Sequence, residues 1–77
     1  MSVRSFMQEF RQSTEQYFYE TEWCWRWQVI FTLRPHSRFV TLARIRAIEK
    51  GHGHGSAGLD WLCALADRHG VRLSGIA

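Results

Sequence analysis

The chain has 77 residues, with 10 Lys+Arg against 7 Asp+Glu, a net charge of +3 and 45% apolar residues. A chain this short is one domain burying roughly 60% of its unfolded surface, and its composition is that of a globule. No apolar run approaches the ~18 residues that span a bilayer and no basic–apolar–small leader is visible. This argues against a membrane span, a repeat architecture, a large multidomain enzyme and secretion, and a cytoplasmic protein is expected.

Ser5-Phe6-Met7-Gln8 has the form of a capping box, Ser followed three residues on by Gln. Phe6, Met7, Phe10, Thr14 and Tyr17 then recur at helical spacing, which predicts an amphipathic helix over about residues 2–16. From residue 17 the period becomes two. Trp23, Trp25, Trp27, Val29, Phe31 and Leu33 alternate with Cys24, Arg26, Gln28, Ile30 and Thr32, and Tyr17 and Tyr19 extend the alternation backwards. The pattern predicts one strand with a buried face and a Trp23/Trp25/Trp27 ladder in the core.

Arg34-Pro35-His36-Ser37-Arg38 is a polar break holding the only proline, and suits a hairpin loop. A second strand is expected over about residues 39–48, inside the sheet because both of its faces are partly apolar. Residues 50–58 hold four of the six glycines. A helix follows over about residues 56–68, with Leu59, Leu62, Cys63 and Ala66 as its apolar stripe and Trp61 and Leu65 widening it. Asp60 near its start and Arg68 near its end suit the helix dipole, and His69-Gly70 supplies a stop. Residues 71–77 read as a last strand, parallel to the second because the unit is strand–helix–strand. The fold expected is α+β: a small mixed β-sheet, an antiparallel hairpin plus a parallel strand–helix–strand unit, with one main helix packed on it and an N-terminal helix.

The glycine loop, Lys50-Gly51-His52-Gly53-His54-Gly55-Ser56, lies between a strand and a helix N-terminus. Glycines there let consecutive N–H groups face outward, and the positive end of the helix dipole adds to them, which makes a site for a phosphate-bearing ligand. A Walker A loop needs Lys-Ser or Lys-Thr after its last glycine, whereas Ser-Ala follows here. The dinucleotide fingerprint needs a wider glycine spacing than Gly51-x-Gly53-x-Gly55.

Lys50-x-x-Gly53-x-Gly55 resembles the Arg/Gln-x-x-Gly-x-Gly/Ala signature of the GNAT superfamily of acetyl-CoA-dependent N-acetyltransferases. Ala66-Asp67-Arg68-His69-Gly70-Val71 is similar to the way the signature helix of that family ends before a parallel strand. The resemblance covers about residues 38–77. It implies acetyl-CoA as the cofactor, with the backbone amides of His52 to Ser56 on the pyrophosphate and Lys50 at the loop mouth. It also implies that the backbone around Ile45 to Ala47 faces the pantetheine arm and polarises the thioester carbonyl. An amine would then attack directly. Lys50 stands where the family has Arg or Gln. The chain is shorter than family members usually are, which implies a minimal or truncated domain over residues 1–77 without the later helix that commonly supplies a tyrosine for the leaving thiolate. No catalytic residue is identified; Glu49 is the nearest carboxylate in sequence.

Other readings stand beside this one. For the loop, the alternative to a phosphate or CoA role is a flexible turn whose glycines only permit tight packing. His52 and His54, with His36 or His69, would make a weak chelate, and no metal is expected. Cys24 and Cys63 read as reduced, half-buried thiols, with Cys63 on the helix stripe and so unsuited to a nucleophilic pair with His69. Arg44 and Arg46, with Arg26 and Arg34, read as a solvated face or as contacts to phosphates of CoA or nucleic acid. The alternative function is a non-catalytic inhibitor of the kind phages and mobile elements use against a host protein or nucleoprotein complex, such as an anti-CRISPR protein. A sheet of few strands with an open edge also leaves room for a homodimer.

Overall fold

The computed structural model describes residues 2–17, 20–49 and 51–75. Its elements in chain order are helix α1 (Val3–Ser13), strands β1 (Glu15–Gln16), β2 (Glu22–Trp25), β3 (Val29–Pro35) and β4 (Phe39–Ala47), helix α2 (His54–His69) and strand β5 (Arg72–Ser74). The strands lie side by side in sequence order. β1 to β4 pair antiparallel and β5 runs parallel to β4. This is the mixed α+β sheet expected, and both helices pack into one core on the same face of it.

α1 buries Val3, Phe6, Met7 and Phe10, spaced i, i+3, i+4 and i+7. Its cap is Ser2, whose Oγ accepts from the Ser5 N–H at 3.1 Å. Ser5 is therefore the capped residue and not the cap, so the Ser5–Gln8 box does not form. The helix is also shorter than expected. Glu15 and Gln16 leave it to pair with Cys24 and Trp23 of β2, and Thr14 closes the last turn by donating its hydroxyl to the Phe10 carbonyl at 2.7 Å. Tyr17 lies beyond the helix, and Tyr19 lies outside the described residues.

The single long strand expected through residues 17–33 is two strands joined by a turn. Arg26 and Trp27 have φ of 54° and 57°, and the Gln28 N–H donates to the Trp25 carbonyl at 3.0 Å. Two successive left-handed residues make a hairpin turn whose twist matches its strands. Trp25 pairs with Val29, four residues on, so parity is kept across the turn and the alternation runs through it unbroken. Trp23 and Trp25 are buried on the same face as Val29, Phe31 and Leu33, but Trp27 sits at the tip and is 67% exposed. It is not core.

Phe10, Trp23, Trp25, Phe31 and Trp61 form a connected aromatic cluster with ring centroids 5.3–6.0 Å apart. Trp61 brings α2 into it, stacking on Trp25 and meeting Phe10 and Phe31. α2 buries Gly58, Leu62, Leu65 and Ala66. Cys63 is exposed and Cys24 is buried, so neither thiol is half-buried. Gly70 ends α2 at φ 64°; its N–H donates to the Asp67 carbonyl and that of Val71 to the Ala66 carbonyl. This is the glycine stop expected. β4 is flanked by β3 throughout and by β5 only over Phe39–Thr41. Ile76 and Ala77, expected in the last strand, lie outside the described residues.

Candidate functional site

β4 and β5 are parallel, so their carboxyl ends point the same way, and α2 begins at that end before running back across the sheet. Crevices outside the carboxyl ends of parallel strands are where open sheets hold ligands. Two features shape this one. A bulge interrupts β4: Thr32 pairs with Arg44 but Leu33 pairs with Leu42, leaving Ala43 as the extra residue. Pairing with β5 stops just before it, at Thr41 with Ser74. Gly75 still lies against Thr41 and Leu42; beyond Leu42 no strand pairs with β4 on its β5 side among the described residues, and Ile45 to Ala47 lie on this open stretch.

Between α2 and the paired ends of β4 and β5 is a cleft of about 220 Å³ lined by Leu42, Leu59, Cys63, Leu73, Ser74 and Gly75. It is mostly apolar and smaller than the ~300–1,000 Å³ of a pocket for a whole drug-sized ligand. Its scale is that of a narrow arm. None of these six residues was expected at the site. Leu59 and Cys63 stand four apart on one flank of α2, and that spacing is their only trace in the sequence. A wider hollow of about 530 Å³, lined by Arg11, Thr14, Gln16, Glu20 and Trp23, lies at the opposite, β1 edge of the sheet.

At the mouth of the crevice is the glycine loop. Gly51 and Gly53 have φ of 86° and 70°, conformations that side-chain-bearing residues avoid. Gly53 is the N-cap of α2 and supplies no side-chain bond. The first helical bond of this segment runs from the Ala57 N–H to the Gly53 carbonyl at 3.1 Å, so the N–H groups of His54, Gly55 and Ser56 lie ahead of the helical ladder. The helix thus begins two residues earlier than expected, inside the loop. Its first turn carries no acidic residue. Asp60 is a turn further on, where the dipole has little effect, and does not occupy the positive end as expected.

A β-carbon on Gly51, Gly53 or Gly55 would meet nothing within 4 Å. The loop glycines are therefore not there for tight packing. Left-handed φ accounts for Gly51 and Gly53 but not for Gly55. Gly58 is different: a β-carbon there would lie 3.1 Å from Phe31 Cζ and 3.1 Å from Val29 Cγ2. It is a packing glycine within the helix.

The rings of His52 and His54 stack at 5.4 Å. His52 Nε2 lies 3.5 Å from Glu49 Oε2, and His54 Nδ1 is buried without a hydrogen-bond partner. His36 and His69 are not near them. His36 sits in the β3–β4 hairpin against Phe39 and Thr41, and His69, at the far end of α2, bonds Glu9 at 2.9 Å. Cys63 and His69 are likewise separated, Cys63 lining the cleft. Lys50 lies outside the described residues. The structure thus brings Gly51 to Ser56 and the open β4 stretch at Ile45–Ala47 to one end of the sheet. No protein-family model, no curated protein and no solved structure matches the chain.

Proposed function

We propose that the chain is a GNAT-like domain that binds acetyl-CoA at the carboxyl ends of β4 and β5. The observation that carries this reading is the apolar cleft between β4, β5 and α2, at the end of the sheet where β4 runs on unpaired past β5 among the described residues and where α2 has an uncapped, acid-free N-terminus. The donor set fits a pyrophosphate. The N–H groups of His54, Gly55 and Ser56 are free of the helical ladder, and the missing side chain of Gly55 leaves their approach open. In that arrangement the loop neutralises phosphate charge through backbone donors and the helix dipole. Leu42, Leu59 and Leu73 exclude water from an arm, and the β4 backbone at Ile45 to Ala47 offers amide groups to a thioester carbonyl. Bound acetyl-CoA would supply an activated acyl group to an amine. The same reading places the protein in the cytoplasm, which keeps Cys24 and Cys63 as free thiols.

Calorimetric titration with acetyl-CoA, run on the parent chain and on Gly55→Glu, tests this. The Gly55 position is helical and open, so the variant keeps the fold while placing a carboxylate among the amides. Micromolar binding by the parent and none by the variant is the expected result. A folded parent that shows no heat at millimolar acetyl-CoA overturns the reading.

A second reading, a non-catalytic inhibitor of a host complex, is favoured by Trp27. A large apolar side chain held left-handed and 67% exposed is an uncommon surface feature. If that reading holds, replacing Trp27 abolishes partner capture while Gly55→Glu leaves it intact.

A further inference from the structure

The helices cover one face of the sheet, and the other face has a pattern of its own. Along β4 its outward residues are Phe39, Thr41, Arg44 and Arg46. Arg34 of β3 stands opposite Thr41, and Arg72 of β5 stands opposite Phe39. Arg34, Arg44, Arg46 and Arg72 are all exposed. Among the described residues, ion pairs are confined to Glu49 with His52 and to Glu9 with Arg68 and His69. The outward carboxylates, Glu15 and Glu22, lie on β1 and β2, towards the other edge. Glu22 is the nearest of these by register, in one row with Thr32 and Arg44, and a single carboxylate on the next strand leaves four guanidiniums on three adjacent strands with a net positive field.

The same face exposes an aromatic ring. Phe39 is 37% exposed. The imidazole of His36 lies against it, with centroids 4.4 Å apart and planes at 21°. His36 is held by Thr41, Nε2 to Oγ1 3.1 Å, and by its own N–H donating to the Phe39 carbonyl at 2.8 Å. The ring is thus fixed before any ligand arrives, which lowers the ordering cost of stacking on it.

We propose that this outer face binds single-stranded nucleic acid, with the arginines on its phosphates and Phe39 against an unstacked base. The charge is complementary to a polyanion. A sheet surface presents no helix or ribbon to enter a major groove, which disfavours a duplex. An exposed aromatic among arginines takes bases that are already unpaired. A string of carboxylates would use the arginines and leave the ring unused. The proposal stands apart from the acetyl-CoA reading, because no residue of the glycine loop belongs to this surface.

The test is fluorescence anisotropy of the full chain with a labelled oligothymidine of about ten nucleotides. Micromolar binding at low salt is expected, with log K falling against log salt with a slope of about −2 to −3, as three or four phosphate contacts on a single strand require. Arg44→Ala/Arg46→Ala should weaken binding about tenfold or more and flatten that slope by about 1.4. Phe39→Ala should weaken it by about fivefold or more with the slope unchanged. Should the double variant unfold, Arg34→Ala and Arg72→Ala, on two other strands, carry the same test. Failure to bind, retention of binding in the arginine variants, equal affinity for a duplex or for polyglutamate, or loss of binding in Gly55→Glu each overturns the proposal.

Discussion

Gly58 packs tightly on Phe31: a β-carbon on the glycine would stand 3.1 Å from Phe31 Cζ, and equally close to Val29 Cγ2. Both neighbours are fully buried, and in a close-packed core a shift in either is resisted by its own neighbours. Helix α2 approaches β3 most closely at this glycine among the helix glycines.

Two glycines one turn apart should therefore respond in opposite directions. Gly58→Ala overpacks the core at a cost of about 1–3 kcal/mol, offset by up to ~1 kcal/mol of helix propensity. A net loss of stability is expected. Gly55→Ala meets nothing and should stabilise by about 0.5–1 kcal/mol. Urea denaturation of the two variants beside the parent decides it. A loss at Gly55 would mean that a neighbouring group packs against it.

Trp61 and Trp27 make a second contrast. Trp61 touches Phe10, Trp25 and Phe31, and Trp61→Ala should cost about 3–5 kcal/mol, a large part of the stability of a small domain. Trp27 touches little and carries the strain of a left-handed φ, worth about 1–2 kcal/mol. Trp27→Gly should gain about 1 kcal/mol net, which raises Tm by about 4–8 °C in a domain of this size. Thermal melts that show Trp27→Gly less stable than the parent would place Trp27 in a packed role.

Trp27 also shows what the sequence could and could not reveal. Period two marks the buried face correctly at Trp23, Trp25, Val29, Phe31 and Leu33. It is blind to a turn that preserves parity, and Arg26-Trp27 carries none of the Asn-Gly chemistry that announces such a turn. The N-terminal helix was legible in Phe6, Met7 and Phe10. Its end was not, because Glu15 and Gln16 leave the helix to pair with Cys24 and Trp23, only nine and seven residues on, and helical spacing carries no sign of that pairing. At the site, the glycine loop and the Gly70 stop were legible because glycine is the residue that left-handed backbone selects. The bulge at Ala43 has no such mark, and the cleft between α2, β4 and β5 depends on strand pairing that local spacing does not reveal.

The two thiols should react very differently. Cys63 is exposed and Cys24 is buried. Burial pushes the Cys24 thiol above its ordinary range; a backbone N–H from Trp27 opposes this, and the charge of Glu15 adds to it. A thiol reagent at neutral pH should modify one cysteine in the folded chain and the second only on unfolding, as mass spectrometry would count. The linkage runs in the matching direction. The folded state holds the Cys24 proton more tightly than the unfolded state, so this contribution to stability is complete at neutral pH and fades as pH rises past the unfolded thiol's range. The alkaline loss should be smaller in Cys24→Ala, and an identical alkaline slope in both proteins would contradict the burial of Cys24.

The glycine loop and the arginine face both attract anions, so a stabilising effect of pyrophosphate must be traced to one of them. A ligand at one hundred times its Kd raises stability by about 2.7 kcal/mol if it binds only the folded state. On the acetyl-CoA reading, inorganic pyrophosphate should raise the Tm of the parent and of Arg44→Ala/Arg46→Ala alike, and leave Gly55→Glu unmoved. In the absence of ligand, Gly55→Glu should be no less stable than Gly55→Ala, because its carboxylate lies in the first turn of α2, where the dipole favours it by about 0.3–1 kcal/mol. The same substitution thus helps folding and opposes the anion, which separates loss of a site from loss of structure in one set of melts. If pyrophosphate stabilises Gly55→Glu as much as the parent, the anion is not held by the amides of His54 to Ser56, and the loop is a turn rather than a cradle.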